Sequence, residues 1–508
     1  MIAEQMLDVD VAIIGSGAGG GTAARELAPL CAEGLRVAVF EEGGRFRPRD
    51  NTRRELEMVR RYYVGGGAVQ TASGDMTLAF CRAVGGGTNV YTGVTFRLPE
   101  QVLGKWAVPG LDAADLAPRF ERYCADNGVH LHAPEEINRN NRLFADGCRR
   151  LGWEPRQFPV NTRGCAGLNT CNLGCPRQAK QGTAQVQIPM AEAAGVHVYP
   201  FCRIDHIEPG GLEGRVLPPA HGLDPGPLRP GPLRVRARAI VLAAGTMQTP
   251  PLLMRSFPDW ERRWPALGRF LTCHPALTLV AQHDEPVEGS LGHPKSYYCD
   301  AFARDERFLL ETCFYFPFAT SKNLAGYGPE LDELMRRMDR QQQILVLTLD
   351  AAHPWNRVRE DEDGQPVAQY HLDDAVYAAL AGGMRAAARV FFAGGATRVH
   401  LPGSGRFFIT AADVPRLDRL VTAERVRASG VMLSAAHLMG GCRMGSCPEH
   451  SVTDARGRVH GLSGVYVADA SLFPASAEVN PYLTIMALAG RTAETVGADL
   501  RAATGTAA

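Results

Sequence analysis

A glycine-rich turn between a short apolar strand and a helix constrains the fold of this chain most. The run from Val11 to Gly20 reads V-A-I-I-G-S-G-A-G-G. Apolar periodicity predicts a strand over residues 8–14, a helix over 22–30 and a second buried strand over 35–40. A β-α-β unit of this kind begins a doubly wound parallel sheet.

Each glycine in this turn has a physical reason. Gly15 permits the tight turn, Gly17 lets the backbone approach a pyrophosphate, and Gly20 lets helix and strand pack closely. The N-terminus of the helix that follows then faces the phosphates with unsatisfied N–H groups and a positive dipole. Glu41 follows the second strand, where a carboxylate can accept from ribose hydroxyls. A tight turn without a ligand is the alternative, but strand, turn, helix and acid are all in register. The acid argues against NADP, whereas this unit alone does not separate FAD from NAD.

Bulk composition narrows the function classes. A chain of 508 residues, with 45% apolar and 21% charged residues, suits two intimately joined globular domains. The formal net charge is zero, which gives no indication of nucleic acid or an anionic membrane as partner. No apolar run reaches the roughly 20 residues of a transmembrane helix, and the first strand begins too early for a leader, so the cytoplasm is expected. The 13 cysteines predict reduced thiols rather than a disulfide framework.

The middle of the chain predicts a second domain. Strand patterns at 196–207 and 233–244 flank a Pro- and Gly-rich insert at 209–232, which we interpret as a solvated loop. Between 271 and 431, strands are expected at 277–282 and 343–349 and a long helix at 374–392. This block fits a substrate-covering domain inserted into the nucleotide fold.

The C-terminal part brings a candidate base and a polar partner. His437 precedes a Gly-Gly pair, and Asn480 precedes Pro481. A neutral imidazole is a suitable general base near neutral pH. Taken alone, His437 would more often be a structural histidine. We interpret His274 and His353, each followed by proline, as structural.

With these segments together, the chain resembles the glucose–methanol–choline (GMC) family of FAD-dependent oxidoreductases over nearly its whole length. The resemblance rests on the glycine turn and on segments at 41–44, 82–89, 245–250, 268–275 and 437–491. One minor departure is Ser256-Phe257, where the family usually has Ser-Gly. Within the family, the chain looks most like the branch of long-chain fatty alcohol oxidases and related bacterial alcohol dehydrogenases.

The resemblance implies a mixed α/β fold: a Rossmann-like FAD-binding domain with an inserted substrate domain on a six-stranded antiparallel sheet. The FAD-binding domain is expected over residues 1–105, 160–270 and 432–508, and the substrate domain over 106–159 and 271–431. FAD is expected to be noncovalent, because no His occurs in residues 85–93. Further cofactor contacts are expected from Gly85, Gly86, Thr88, Asn89, Asp469, Ala470, Asn480, Pro481 and Thr484.

The same resemblance gives His437 and Asn480 their roles. His437 is expected to remove the hydroxyl proton of a primary or secondary, apolar alcohol while hydride passes to flavin N5, and Asn480 to hold the alcohol oxygen. The electron acceptor is left open among oxygen, a quinone and an electron-transfer protein. Two alternatives are a non-redox lyase on the same fold and a flavin-binding protein without turnover.

A cysteine-rich loop is the remaining open question. Cys165, Cys171 and Cys175 stand at short spacing, the last before a proline. Three thiolates suit a three-iron (3Fe-4S) cluster but leave tetrahedral zinc one ligand short. Family members that pass electrons onward carry such a cluster at this offset, whereas the fatty alcohol oxidase branch has an additional cysteine where this chain has Leu168. The alternative is a well-packed turn with reduced thiols.

Overall fold

The computed structural model describes residues 4–220 and 222–503. Its strands are β1 (Gln5–Ile14), β2 (Val37–Phe40), β3 (Met76–Leu78), β4 (Arg156–Gln157), β5 (His197–Tyr199), β6 (Cys202–Glu208), β7 (Gly211–Val216), β8 (Gly231–Leu242), β9 (Ala276–Gln282), β10 (Tyr297–Cys299), β11 (Phe308–Thr312), β12 (Gln341–Thr348), β13 (Arg357–Glu360), β14 (Pro366–Gln369), β15 (Arg398–His400), β16 (Phe408–Ile409), β17 (Leu433–Ala435) and β18 (Val465–Val467).

Its α-helices are α1 (Ala18–Leu27), α2 (Pro29–Ala32), α3 (Glu55–Tyr62), α4 (Glu100–Trp106), α5 (Ala113–Asp126), α6 (Arg139–Arg150), α7 (Gln187–Ala193), α8 (Thr249–Ser256), α9 (Trp260–Arg263), α10 (Pro317–Ser321), α11 (Pro329–Arg336), α12 (Asp374–Ala393), α13 (Leu417–Leu420), α14 (Ala423–Ala428) and α15 (Tyr482–Ala503). Among the described residues, none of these helices is long and apolar enough to cross a bilayer.

The first sheet has seven strands and holds the glycine turn. Its order is β5-β2-β1-β8-β7-β6, and β18 joins the C-terminal half of β8. The strands β5, β2, β1, β8 and β18 run parallel, which confirms the predicted doubly wound core. α1 and α15 pack against each other beside this sheet, so the N-terminal turn and the C-terminal helix meet.

Two local predictions in this sheet are wrong. The first helix begins at Ala18 rather than at residue 22, since small residues allow it to start directly from the turn, and it ends at Leu27 because Pro29 starts a separate helix. The insert at 209–232 is not entirely loop. It contains β7, which pairs with β8 because Leu212 and Val216 bury their side chains at the sheet.

The second sheet has nine strands, in the order β16-β15-β9-β12-β11-β10-β4, with β17 pairing both β9 and β3. All of its strand pairs are antiparallel except β3–β17, which is parallel. This agrees with the predicted antiparallel substrate sheet. The resemblance implies six strands, and short additions such as β4 and β16 make up part of the difference. The predicted strands near 277 and 343 and the long helix α12 are confirmed.

Side-chain alternation explains how this sheet covers a cavity. On β12, Ile344 and Val346 join the core that packs under α12, whereas Leu345 and Leu347 belong to a small cluster on the opposite face. α12 itself is Ala-rich, and the side chain of Asp373 caps its N-terminus by accepting from the backbone of Val376 at 2.8 Å. The domain limits given above stay a prediction.

Candidate active site

One cavity of about 760 Å³ extends from the glycine turn to the second sheet. Of the sequence-predicted residues, those that line it are Gly15, Gly17, Ala18, Glu41, Gly86, Thr88, His437, Asp469, Ala470, Asn480 and Pro481. Gly20, Gly85, Asn89 and Thr484 lie outside the lining. The cavity therefore joins segments from both ends of the chain.

The glycine turn has the close contacts that its sequence predicts. Gly15 has a φ of +95°, and a Cβ there would lie 2.4 Å from the carbonyl oxygen of Ala243. A Cβ on Gly86 would lie 2.6 Å from the Cα of Gly17. No side chain caps α1, and its first turn has no acidic residue. Its N–H groups are therefore available to an anion such as a phosphate.

Glu41 is held by neighbours that sequence reasoning missed. Its Oε2 accepts from the backbone N–H and the hydroxyl of Ser16, at 3.0 and 2.7 Å, and its Oε1 accepts from the N–H of Gly43 at 2.8 Å. Burial raises the pKa of Glu41 to about 7. Ser16 occupies a variable position of the glycine motif, so no spacing rule indicates this contact.

The loop at 85–89 is tied to itself and to a buried lysine. The Thr88 hydroxyl donates to the carbonyl of Gly85 at 2.6 Å, and the Asn89 amide donates to that of Val84 at 2.9 Å. The Nζ of Lys180 donates to the carbonyls of Asn89, Tyr91 and Cys171. Burial lowers the pKa of Lys180 to about 8. Thr88 and Asn89 thus shape this loop, and sequence reasoning missed the role of Lys180.

Asp469 connects the carboxyl ends of β8 and β18. Its Oδ2 accepts from the N–H of Gly245 at 2.8 Å and from the Thr249 hydroxyl at 2.6 Å, and its Oδ1 accepts from the N–H of Ser471 at 2.8 Å. Burial raises the pKa of this carboxyl group. Asp469 fixes the wall of the cavity where the two strands end.

His437 and Asn480 meet in the cavity, although 43 positions separate them in sequence. The Asn480 Nδ2 lies 3.2 Å from the His437 Nε2. Burial, followed by the charges of His274 and Lys295, holds the pKa of His437 well below its ordinary value of 6.5. The ring is therefore neutral at neutral pH, and its Nε2 accepts from the amide.

His274 orients His437 from the other side. The two Nδ1 atoms lie 3.0 Å apart, and the Nε2 of His274 lies 2.7 Å from the Ser476 hydroxyl. Since the His437 Nε2 accepts, its Nδ1 carries the proton and donates it to His274, whose Nε2–H then donates to Ser476. The interpretation of His274 as merely structural missed this contact.

The three cysteines of the loop at 165–175 are not assembled as metal ligands. Across residues 4–220 and 222–503, no three His, Cys, Asp or Glu side chains are arranged to hold a metal ion. Burial raises the pKa of Cys171 to about 12, and the Cys175 Sγ accepts from the N–H of Ala179 at 3.4 Å. The donor set as it stands does not fit the 3Fe-4S cluster that the sequence left open, and we derive no chemistry through one.

Comparison with known proteins gives the family. GMC oxidoreductase family models match residues 59–276 and 353–489. An uncharacterised GMC-type oxidoreductase of Mycobacterium tuberculosis (strain H37Rv) is 34% identical over 490 residues, which cover 94% of this chain and 74% of the relative. A long-chain-alcohol oxidase of Arabidopsis thaliana is 26% identical, covering 94% of this chain and 66% of the relative.

The solved structures agree in fold. Pyridoxine 4-oxidase from Mesorbium loti superposes with a TM-score of 0.71 at 18% identity, covering 96% of this chain and 99% of that one. With both sheets, the glycine turn and the His437–Asn480 pair in place, this chain belongs to the GMC oxidoreductase family of FAD-dependent oxidoreductases.

Proposed function

We propose that this protein oxidises a primary or secondary alcohol to the carbonyl compound, with noncovalent FAD as the acceptor and His437 as the general base. The observation that carries the proposal is a neutral imidazole with an accepting Nε2 beside an amide, in the cavity that begins at the glycine turn. The likeness to a long-chain-alcohol oxidase supports the substrate class.

The residues present fit a bound dinucleotide. The N-terminus of α1 has no side-chain cap, and Gly86 lies close to Gly17. Together they form a cradle for phosphate groups, which stays open because neither glycine carries a side chain. Within the described part of the chain, the Asn480 Oδ1 is one of the buried atoms without a hydrogen-bond partner, and Asn480 lines this cavity. Unpaired buried polar atoms are costly, and a polar ligand would satisfy them.

The chain's own residues divide the chemical work. When bound, FAD supplies the two-electron acceptor for the hydride of the carbinol carbon. His437 accepts the hydroxyl proton at Nε2. His274 keeps that nitrogen unprotonated, because it accepts a hydrogen bond from the Nδ1–H of His437. The Asn480 amide lies beside the same nitrogen, where it can donate to the alcohol oxygen as negative charge develops.

The acceptor that follows FAD is not assigned, and oxygen and a diffusible quinone both fit the proposal. An electron-transfer protein fed through a cluster has no support from the cysteine loop. The apolar body expected for the alcohol has a surface to contact, since Ala276, Leu345 and Leu347 line the cavity. Residence in the cytoplasm stays a prediction.

Anaerobic flavin reduction tests the proposal. Alcohols should bleach the visible flavin band of the wild-type protein. The His437→Ala variant should still bind FAD, but its flavin should be reduced about 10² to 10⁴ times more slowly. Asn480→Ala should slow reduction less, because it removes one hydrogen bond rather than the base. A wild-type rate in His437→Ala would overturn the assignment of the base. A wild-type flavin that no alcohol bleaches would favour the lyase or the protein without turnover.

A further inference from the structure

A buried ion pair lies at the wall of the active cavity. The Lys295 ammonium forms an ion pair with the carboxylate of Glu311, which lies on β11. The side chains of Lys295 and Glu311 are 6% and 0% exposed. Burying two charges has a free-energy cost that their attraction offsets only in part, and apolar residues of similar size are often as stable. An ion pair in this position therefore calls for an explanation beyond stability.

The pair is incompletely hydrogen-bonded. An ammonium has three N–H donors, and among the described residues the Lys295 Nζ donates to Glu311 alone. The same Nζ lies 5.5 Å from the centre of the Phe158 ring. The Glu311 Oε1 has no partner within the described part of the chain. Lys295, which lines the cavity, therefore has donor capacity left.

Lys295 borders the reaction zone. It lines the same cavity as His437 and Asn480, and its charge is one of the causes that lower the pKa of His437. On the neighbouring strands, Thr278 and Leu347 also face this cavity. A molecule positioned for His437 to act on its hydroxyl group would thus pass close to the ammonium of Lys295.

The charges restrict what can bind there. A plain alkyl chain would cover N–H donors that then have no acceptor, and each unsatisfied buried donor weakens binding. A cationic group would face the ammonium, and a carboxylate would add a second negative charge next to Glu311. A neutral oxygen can accept a hydrogen bond from Lys295 and leaves the net charge of the Lys295–Glu311 pair unchanged.

On the basis of the proposed alcohol oxidation, we propose that the substrate carries a second, neutral oxygen close to its carbinol carbon, and that Lys295 binds it. An ether, hydroxyl or carbonyl oxygen has the required chemistry. Glu311 holds the ammonium towards this oxygen. The substrate class is then an oxygenated alcohol with an apolar body, rather than a simple long-chain alcohol.

Three alcohols of equal chain length test the proposal. 2-Butoxyethanol and 3-propoxypropan-1-ol differ from heptan-1-ol only by an oxygen in place of one methylene. Under anaerobic conditions, their dissociation constants can be read from the concentration dependence of the flavin reduction rate or, where no reduction follows, from the perturbation of the flavin spectrum. The wild-type protein should bind at least one ether alcohol about 10 to 100 times more tightly than heptan-1-ol, as a hydrogen bond to a charged group allows.

Two variants separate the role of Lys295 from folding. Lys295→Met alone leaves Glu311 buried without its partner, so the double variant Lys295→Met/Glu311→Gln removes both charges with little change in shape. Both should lose the preference for the ether alcohol and bind heptan-1-ol at least as tightly as the wild-type protein, because the N–H donors that its alkyl chain would cover are gone. Lys322→Met is the matched control, since Lys322 lines the same cavity but donates to the carbonyl of Gly67 at 2.6 Å. It should keep the preference.

Equal binding of all three alcohols by the wild-type protein would overturn the proposal, and so would an unchanged preference in the double variant. Equal loss of affinity for all three alcohols in both Lys295 variants would also overturn it, because Lys295 would then contact the shared hydroxyl. Failure of the proposed function looks different. The wild-type flavin would then show the binding preference without being bleached.

Discussion

The Nδ1 atoms of His274 and His437 lie 3.0 Å apart, although 163 positions separate the two residues in sequence. A neutral imidazole has one donor and one acceptor nitrogen, so a partner at Nδ1 decides the state of Nε2. Many active sites use a carboxylate for this purpose, which stabilises the protonated base. Here the partner is a neutral, buried histidine, and its charged form disfavours protonation of His437.

We predict that His274→Ala slows flavin reduction about tenfold to a hundredfold, because the Nδ1–H of His437 loses its acceptor. His274→Asn should recover part of the rate. Asparagine offers an accepting oxygen and tolerates the left-handed backbone at this position, where φ is +51°. Stopped-flow reduction under anaerobic conditions measures both. Equal rates in the two variants, with bound FAD unchanged, would limit His274 to a structural role.

The pH dependence of flavin reduction should follow the lowered pKa of His437. The base works only when neutral, so the rate falls as the pH drops through its pKa in the folded protein. Since that pKa lies well below 6.5, the rate should still be at its plateau at pH 6.5. Removing the positive charge that His274 can carry should move the acid limb of His274→Asn to higher pH. A plateau that ends above pH 6.5 in the wild-type protein would contradict the neutral base.

Gly86→Ala should prevent FAD binding. Its φ is +52°, and the added Cβ would lie 2.6 Å from the Cα of Gly17, so the backbone of the cradle has to move. Gly104→Ala on α4 is the control, because a Cβ there meets no atom within 4 Å and Gly104 does not line the cavity. The ratio of flavin to protein after purification measures the effect. Full flavin content in Gly86→Ala would show that the cradle does not hold the cofactor.

Purified protein should contain no stoichiometric iron. Cys171 is buried as a thiol, and the described residues include no assembled group of metal ligands. A visible spectrum of anaerobically prepared protein should show flavin bands alone, and an iron and acid-labile sulfide assay on the same sample checks it. About three irons per chain would contradict this prediction and indicate a cluster bound by Cys165, Cys171 and Cys175.

Much of the fold could be predicted because local residue requirements are visible in a sequence. Gly15 permits a positive φ, short runs of consecutive apolar residues indicate β9 and β12, and the long apolar, Ala-rich segment at 374–392 indicates α12. The strand β7 was missed because its insert is rich in proline and glycine, and the edge of β8 supplies its stability. The roles of individual site residues, including His437 and Asn480, stay predictions that the geometry supports.

The sequence by itself determined the nucleotide turn, the two kinds of sheet and the family, because each depends on residues close together or on motifs in fixed order. Only the tertiary structure decided which polar groups face one another. Ser16 meets Glu41, His274 meets His437, and Lys295 meets Glu311 at the cavity wall. The physical reason is that hydrogen bonds and ion pairs depend on distances of a few ångströms, which long-range folding sets and no spacing rule encodes.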